Sequence, residues 1–125
     1  MPMTYRIDSR RRLVLTHATG VLTDDDVIAH KERLLRDPEF RSDMAELSDV
    51  RAIERLAVTA TGVAAMVAHD TNHAGAWRGH RLALVVTSDV AFGMARMYQS
   101  LGDDGQGSVG VFRTMEEAEA WLGGA

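Results

Sequence analysis

The stretch RLALVVTSDVAFGMARMYQSL, from Arg81 to Leu101, changes from an apolar run into a helical pattern within a few residues. The run from Leu82 to Val86 predicts a buried strand, and Thr87-Ser88-Asp89 predicts a tight turn before a helix. Such strand, turn and helix units build α/β folds, whose ligands gather at the carboxyl ends of strands. We therefore expect this protein to act at that edge of its sheet.

The composition predicts a globular chain that forms one α/β domain over residues 1–125. Apolar residues make up 46% of the 125 residues and charged residues 26%, so the chain has enough apolar surface to fold around one core. The formal net charge is -4, which argues against a general affinity for nucleic acid. Thirteen of the fourteen cationic side chains are arginine, a residue type suited to local anion sites.

Several classes of site are excluded or disfavoured by what the sequence lacks. The absence of cysteine excludes disulfide scaffolds, thiolate metal sites and cysteine nucleophiles. No apolar run is long enough to cross a bilayer, and the first residues carry charges where a signal peptide needs an apolar segment. We therefore expect a cytoplasmic protein. A catalytic triad, a P-loop and a dinucleotide fingerprint are all missing, so we expect no cofactor.

The hydrophobic pattern predicts the order ββαβαβαβα, with about five strands and four helices. Strands are expected at Thr4 to Asp8, Leu13 to Leu22, Met44 to Val50, Arg81 to Val86 and Ser108 to Arg113. An irregular connection is expected from Arg51 to Val58, and helices are expected from Asp24, Thr59, Asp89 and Thr114 onward. The first two strands form an antiparallel hairpin, and strands separated by a helix pair in parallel through right-handed crossovers. The expected sheet is therefore mixed and mainly parallel.

Four segments resemble the bacterial SpoIIAA-like family. They are YRID at 5–8, LVLTHATGVLTDDDV at 13–27, LSDVR at 47–51 and SDVAFGMARMYQSL at 88–101, and the likeness extends over nearly the whole chain. That family is similar in fold to STAS domains, the anti-sigma factor antagonists, and most of its members have no assigned function. The resemblance implies a STAS-like fold for this chain.

The resemblance does not carry over the phosphoserine switch of the antagonists. Their phosphorylated serine begins the helix after the third strand, in a motif Asp-Ser-Ser-Gly that matches Thr59-Ala60-Thr61-Gly62 here. With Gly62 aligned, the phosphoacceptor position falls on Ala60, which has no hydroxyl group. A shift of one residue would bring Thr59 or Thr61 to the helix start, where a hydroxyl ordinarily acts as an N-cap.

Polar residues at the predicted strand ends form the first candidate site. In a parallel sheet they would converge on one rim together with the start of the second helix, and could hold a small anion. These residues are Asp49, Arg51, Thr59, Thr61, Thr87, Ser88 and Asp89. The same residue types also form ordinary turns and caps.

The helix from Asp89 contains a second candidate, because one phenylalanine lies off its apolar face. At 100° per residue the apolar face comprises Val90, Met94, Met97, Tyr98 and Leu101. Phe92 points almost opposite, so it packs under the preceding loop, lines a cavity for an apolar ligand, or lies in a homodimer interface with Arg96. Phe92, Arg96 and Tyr98 are therefore candidate residues for binding a ligand or partner.

Three further features suggest chemistry only weakly. Lys31, the single lysine, falls within the apolar stripe of the first helix, where it reaches solvent or forms a buried amine with a lowered pKa. His69 and His73 have the i, i+4 spacing of a zinc helix but lack the accompanying glutamate. Asp103 and Asp104 lie in a glycine-rich loop without the spacing of a calcium site.

From the sequence we expect a non-catalytic, homodimeric binding or regulatory module. Its ligand is a small apolar or anionic molecule, or a regulatory protein partner. An alternative is an anti-sigma-type partner protein without the serine switch. A further alternative is an enzyme that uses Lys31 or the pair His69 and His73.

Overall fold

The secondary structure follows the order ββαβαβαβα that the sequence predicts. The computed structural model describes residues 2–102 and 109–123. The strands are β1 (Met3–Asp8), β2 (Leu13–Thr23), β3 (Ala45–Ala57), β4 (Arg81–Val85) and β5 (Val109–Phe112). The helices are α1 (Asp24–Arg36), α2 (Ala60–Asn72), α3 (Asp89–Gly102) and α4 (Met115–Trp121). The predicted acidic loop with Asp103 and Asp104, and the predicted strand start at Ser108, lie outside the described residues.

The strands form one mixed sheet in the order β1-β2-β3-β4-β5. β1 and β2 form the predicted antiparallel hairpin, in which Asp8 lies opposite Leu13. The exposed arginines between them end at Arg12, whose φ of 52° closes the turn. The other three strand pairs are parallel, which confirms the predicted α/β class.

The third strand is longer than predicted, and the predicted irregular connection from Arg51 to Val58 is wrong. β3 continues to Ala57, and its second half pairs with β2 alone, because β4 ends opposite Asp49. This two-stranded extension is largely exposed, so it contains charged residues such as Glu54 in place of the apolar run that marks a buried strand. The connection to α2 is therefore short.

The alternation of side chains along the strands produces two layers of helices. Leu13, Leu47 and Ala83 face α4, against which they pack with Ala118. The residues that follow Leu13 and Ala83 point to the other face, which α1, α2 and α3 cover. The space between this second face and its three helices contains the candidate site.

Threonine side chains begin three of the helices, as the sequence predicts. Thr23 and Asp26 form a reciprocal capping box at α1, and Thr114 accepts a hydrogen bond from the Glu117 amide at α4. Thr59 accepts one from the Gly62 amide at α2. These caps satisfy amide groups that have no partner within the helix and so fix where each helix starts.

No helix among the described residues is long and apolar enough to span a membrane.

Candidate functional site

A cavity of about 310 Å³ lies between the sheet and the helices α1, α2 and α3. This volume is at the lower end of the range for small-molecule pockets, roughly 300 to 1,000 Å³. Most of its wall is aliphatic, and this part includes Leu22, Val50, Leu56, Val58, Val63, Met66, Leu84, Val86, Ala91 and Met94. The lining also includes six side chains with titratable groups: His30, Lys31, Glu46, Asp70, His80 and Tyr98.

Glu46 is the centre of a polar cluster on the sheet side of the cavity. It is 5% exposed and accepts hydrogen bonds from Thr16 Oγ1 and His30 Nε2, both at 2.8 Å, and from His80 Nε2 at 3.0 Å. Three donors around one buried carboxylate provide the stabilisation that an ionised group needs away from water. The geometry therefore keeps Glu46 negatively charged.

The two imidazoles differ in the hydrogen bonds that surround them. His80 has an acceptor at each nitrogen, the Met44 carbonyl at 2.8 Å from Nδ1 and Glu46 at Nε2, so the ring donates to both only as an imidazolium. His30 donates through Nε2, while its buried Nδ1 has no partner among the described residues. His80 therefore balances the charge of Glu46.

The pKa of Glu46 agrees with this arrangement. Burial by itself raises the pKa of a carboxyl group, but the two imidazoles and their hydrogen bonds hold the pKa of Glu46 well below its usual range. The carboxylate is thus charged at neutral pH although it is buried.

A second polar cluster joins the three helices that cover the cavity. Lys31 of α1 lies 2.8 Å from the Tyr98 hydroxyl of α3 and 3.0 Å from Asp70 Oδ1 of α2. The Tyr98 hydroxyl also donates a hydrogen bond to Asp70. The ammonium of Lys31 is oriented by aromatic rings as well, since it lies 5.0 Å from the centre of Tyr98 and 5.5 Å from that of Trp77.

This cluster excludes the lowered lysine pKa that the sequence left open. Burial by itself lowers the pKa of Lys31, but the neighbouring Tyr98 and Asp70 outweigh burial and raise it above its ordinary value. Burial raises the pKa of Tyr98 to about 12, with the charge of Asp70 adding to the effect and that of Lys31 opposing it. Lys31 is therefore a protonated cation at neutral pH and is not available as an amine nucleophile.

The polar end of the cavity retains unused hydrogen-bonding capacity. A protonated lysine has three N–H donors, and Lys31 donates one hydrogen bond, to the Tyr98 hydroxyl, and forms an ion pair with Asp70. Asp70 Oδ1, His30 Nδ1 and Trp77 Nε1 are buried without a hydrogen-bond partner among the residues that the structure describes.

The two clusters lie toward the amino ends of the parallel strands. Glu46 is the second residue of β3, and His80 directly precedes β4. The aliphatic wall extends toward the opposite ends of the strands, where Val50 and Val86 lie. The cavity thus has a polar end and an apolar end.

The residues of the predicted rim lie on several elements. Asp49 lies beside Val85 in the sheet, whereas Thr59 follows the end of β3, where its neighbour Val58 lines the cavity together with Val86. Asp49 is paired with Arg51 through two hydrogen bonds of 2.9 Å, and this pairing lowers the pKa of Asp49. The predicted convergence of these residues with Thr59 on one binding rim stays a prediction.

The residues near the start of α3 are occupied in local contacts. Ser88 accepts a hydrogen bond from the Ala91 amide, and Arg113 bonds to the Thr87 carbonyl and to Asp89. Their predicted role in ligand binding stays a prediction.

Thr59 and Thr61 differ in their surroundings. The Thr59 hydroxyl donates to Asp24 at 2.8 Å, and the Thr59 amide donates to the same carboxylate at 2.9 Å. Thr61 is exposed in the first turn of α2. A carboxylate at the α2 start occupies the place where the resemblance would put a phosphate, and its negative charge repels one.

The inward face of α3 is rotated from the predicted one. Ala91 is buried, Met94 and Tyr98 line the cavity, and Val90 is 69% exposed. Phe92 packs against the apolar cluster below α3, with the Arg113 guanidinium 4.3 Å from its ring centre. Phe92 thus has a local partner, Arg96 is exposed, and the homodimer stays a prediction.

The two histidines of α2 make contacts with each other. Their rings stack at 4.3 Å, and His73 Nδ1 bonds to the His69 carbonyl, at the end of the helix. Burial lowers the pKa of His69, with the neighbouring His73 adding to the effect. Among residues 2–102 and 109–123, no group of three or more His, Asp or Glu side chains is placed to hold a metal ion.

Sequence reasoning identified two members of the polar end, Lys31 and Tyr98, and missed the Glu46 cluster. The signal for that cluster was present: Glu46, Ser48 and Val50 alternate along one strand and so share a face, which places a carboxylate on a buried surface. His30 adjoins Lys31, and His80 directly precedes a buried strand. Partners for a buried carboxylate are expected in such positions.

The comparisons with known proteins concern the fold. No family model and no curated protein matches this chain. Among solved structures, the chain is similar to an uncharacterised protein of the DUF3478 family with a SpoIIAA-like fold, from Shewanella loihica PV-4. The identity is 17%, the match covers 96% of this chain and 93% of that chain, and the TM-score is 0.58. The chain therefore has the SpoIIAA-like fold that its sequence resemblance implies.

Proposed function

We propose that this protein is a non-catalytic binding module that holds a small, mainly apolar molecule with one polar end. The observation that carries the proposal is the cavity between the sheet and α1, α2 and α3, with aliphatic walls and two polar clusters at one end. A pocket with apolar walls and a few convergent polar groups is the usual form of a small-molecule site. The apolar wall would take the body of the ligand and the clusters its polar group.

The same clusters argue against catalysis by these residues. Lys31 is protonated and held between Asp70 and Tyr98, so it has no free electron pair for attack. The Glu46 carboxylate already accepts hydrogen bonds from three protein donors, which makes it a poor general base. Binding requires neither group to react.

Native mass spectrometry of the purified protein provides the first test. Under gentle conditions we expect a retained non-peptide mass that denaturation releases, and the same spectra give the number of subunits. Protein purified without such a mass is then titrated with 1-octanol as a neutral amphiphilic probe.

The two tryptophans allow the place of binding to be measured. Trp77 lines the cavity, whereas Trp121 lies on α4 and packs against Phe112. In Trp121→Phe protein, octanol should change the fluorescence of Trp77, while in Trp77→Phe protein the Trp121 signal should stay constant.

A cavity-filling variant completes the test. Ala95 lines the cavity, and Ala68 is exposed on α2. In the Trp121→Phe background, Ala95→Phe should abolish the octanol response, and the matched Ala68→Phe should preserve it. The absence of both a retained mass and an octanol response at Trp77 would contradict the proposed function.

A further inference from the structure

We propose that the cavity selects ligands whose polar end is uncharged, such as an alcohol, ester or amide, over carboxylates and amines of the same chain length. This inference rests on the proposed function and specifies its ligand class. It follows from the charges that line the cavity, because each carboxylate there is already in contact with a cationic partner.

The first step is the charge count of the lining. Two lining residues are cationic, Lys31 and His80, and two are anionic, Asp70 and Glu46. Each cation is in direct contact with one of the anions, Lys31 with Asp70 at 3.0 Å and His80 with Glu46 at 3.0 Å. Each anion at the polar end therefore has a counterion within the protein.

The second step is that both ion pairs are largely shielded from water. The side chains of Glu46 and His80 are 6% and 9% exposed, that of Lys31 is 10% exposed and that of Asp70 is 28% exposed. A charged ligand group would enter this region without a counterion of its own. Burying an unpaired charge is strongly unfavourable, and separating an existing pair to supply a counterion leaves its other member unpaired.

The third step is that the polar end can still donate hydrogen bonds, although its charged groups are already paired with one another. Lys31 donates one hydrogen bond within the described residues, to Tyr98, so a hydroxyl or carbonyl oxygen of a ligand can accept from another of its N–H groups. Such a bond is charge-assisted and does not disturb the pairing of Lys31 with Asp70. A neutral oxygen therefore meets the requirements of the polar end.

The experiment compares 1-octanol, octanoate and octylammonium near pH 7, with Trp77 fluorescence in the Trp121→Phe protein as readout. We expect octanol to bind at least about tenfold more tightly than either charged probe. Octanoate or octylammonium binding as tightly as octanol would overturn the inference and leave the proposed function standing. If none of the three binds, the proposed function itself fails.

Two variants shift the selectivity toward a charged probe if the charge balance causes it. Asp70→Asn leaves the charge of Lys31 uncompensated, so octanoate should gain about tenfold or more in affinity relative to octanol. Lys31→Met leaves Asp70 uncompensated, so octylammonium should gain instead. Asp25→Asn, at an exposed position outside the cavity, is the matched control and should change neither ratio.

The folding of each variant is checked by circular dichroism and thermal unfolding before titration. Unchanged selectivity in folded Asp70→Asn and Lys31→Met proteins would overturn the role of charge balance. Should either variant fail to fold, the comparison of the three probes in the Trp121→Phe protein decides the inference without it.

Discussion

Glu46 is the single residue on which the polar end depends most, because three donors converge on its carboxylate. Glu46→Gln removes the charge that balances the His80 imidazolium, and loss of one member of a buried pair typically costs about 3 to 5 kcal/mol. We expect a decrease of that size in the free energy of unfolding, measured with urea. Glu54→Gln, on the exposed part of the same strand, should change it by less than about 0.5 kcal/mol. Equal effects of the two substitutions would show that Glu46 is not held as an ion pair.

We expect the free energy of unfolding to fall at alkaline pH, where Tyr98 and Lys31 lose their protons. The pKa of Tyr98 is raised to about 12 and that of Lys31 is raised as well, so both groups hold their protons more tightly in the folded state. Their contribution to stability is complete below the pKa of the unfolded chain, about 10, and is lost as the pH rises through the folded values.

The chain contains two tyrosines, so Tyr5→Phe leaves Tyr98 as the only phenol. An absorbance titration of that variant should give a tyrosinate midpoint near 12, or at the pH of unfolding where that comes first, against about 10 in urea. A midpoint near 10 while circular dichroism still reports folded protein would contradict the burial of Tyr98.

At the residue scale, the sequence identifies unusual residues but not their partners. Lys31 is conspicuous because it interrupts an apolar stripe, yet the Tyr98 hydroxyl that it contacts is 67 residues away. Whether a buried lysine has a raised or a lowered pKa depends on such distant neighbours, since burial and charge act in opposite directions. The direction of the pKa shift of Lys31 therefore could not be predicted from the neighbouring sequence.

At the element scale, the start of α2 is held by a contact that requires glycine. A Cβ atom at Gly62 would overlap the Asp24 carboxylate, which accepts two hydrogen bonds from Thr59. Gly62→Ala should displace the carboxylate and lower the free energy of unfolding by about 1 to 3 kcal/mol.

Gly93 provides the contrasting case, because a Cβ there meets nothing within 4 Å. Gly93→Ala in α3 should raise the free energy of unfolding by about 0.5 to 1 kcal/mol, through the helix propensity of alanine alone. In an Asp24→Ala background the cost of Gly62→Ala should largely vanish. A cost that persists there would mean that the carboxylate is not the obstacle.

Element boundaries were predictable where capping and burial coincide. Thr23 and Thr59 mark the starts of α1 and α2 in both sequence and structure, because a cap is a local interaction. The end of β3 was not predictable, since Arg51 to Ala57 pairs with β2 alone and includes no fully buried residue, so it lacks the continuous apolar run that marks a buried strand.

At the scale of the whole molecule, the cavity results from three helices that meet the sheet with small side chains. Ala91 and Ala95 of α3 and Val63 of α2 line it, and α3 has Ala91 as its one fully buried residue among those that the structure describes. Alanine and valine at these positions are equally compatible with a filled core. Only the packing of all three helices determines that a space remains.

The same packing predicts which part of the molecule opens most easily. α2 and α3 cover the cavity and bury few side chains, whereas β2 contributes Val14, Ala18 and Leu22 to the core. Because local opening costs least free energy where little apolar surface is buried, amide hydrogen exchange should be faster in α2 and α3 than in β2 and β3.

Saturating octanol should slow exchange in α2 and α3, since a ligand in the cavity adds contacts to both helices. α4 lies on the opposite face of the sheet and is the internal control, with unchanged exchange. Protection that rises equally in α4 would place the octanol elsewhere, and exchange in α2 and α3 as slow as in β2 would mean that these helices are not the part that opens to admit a ligand.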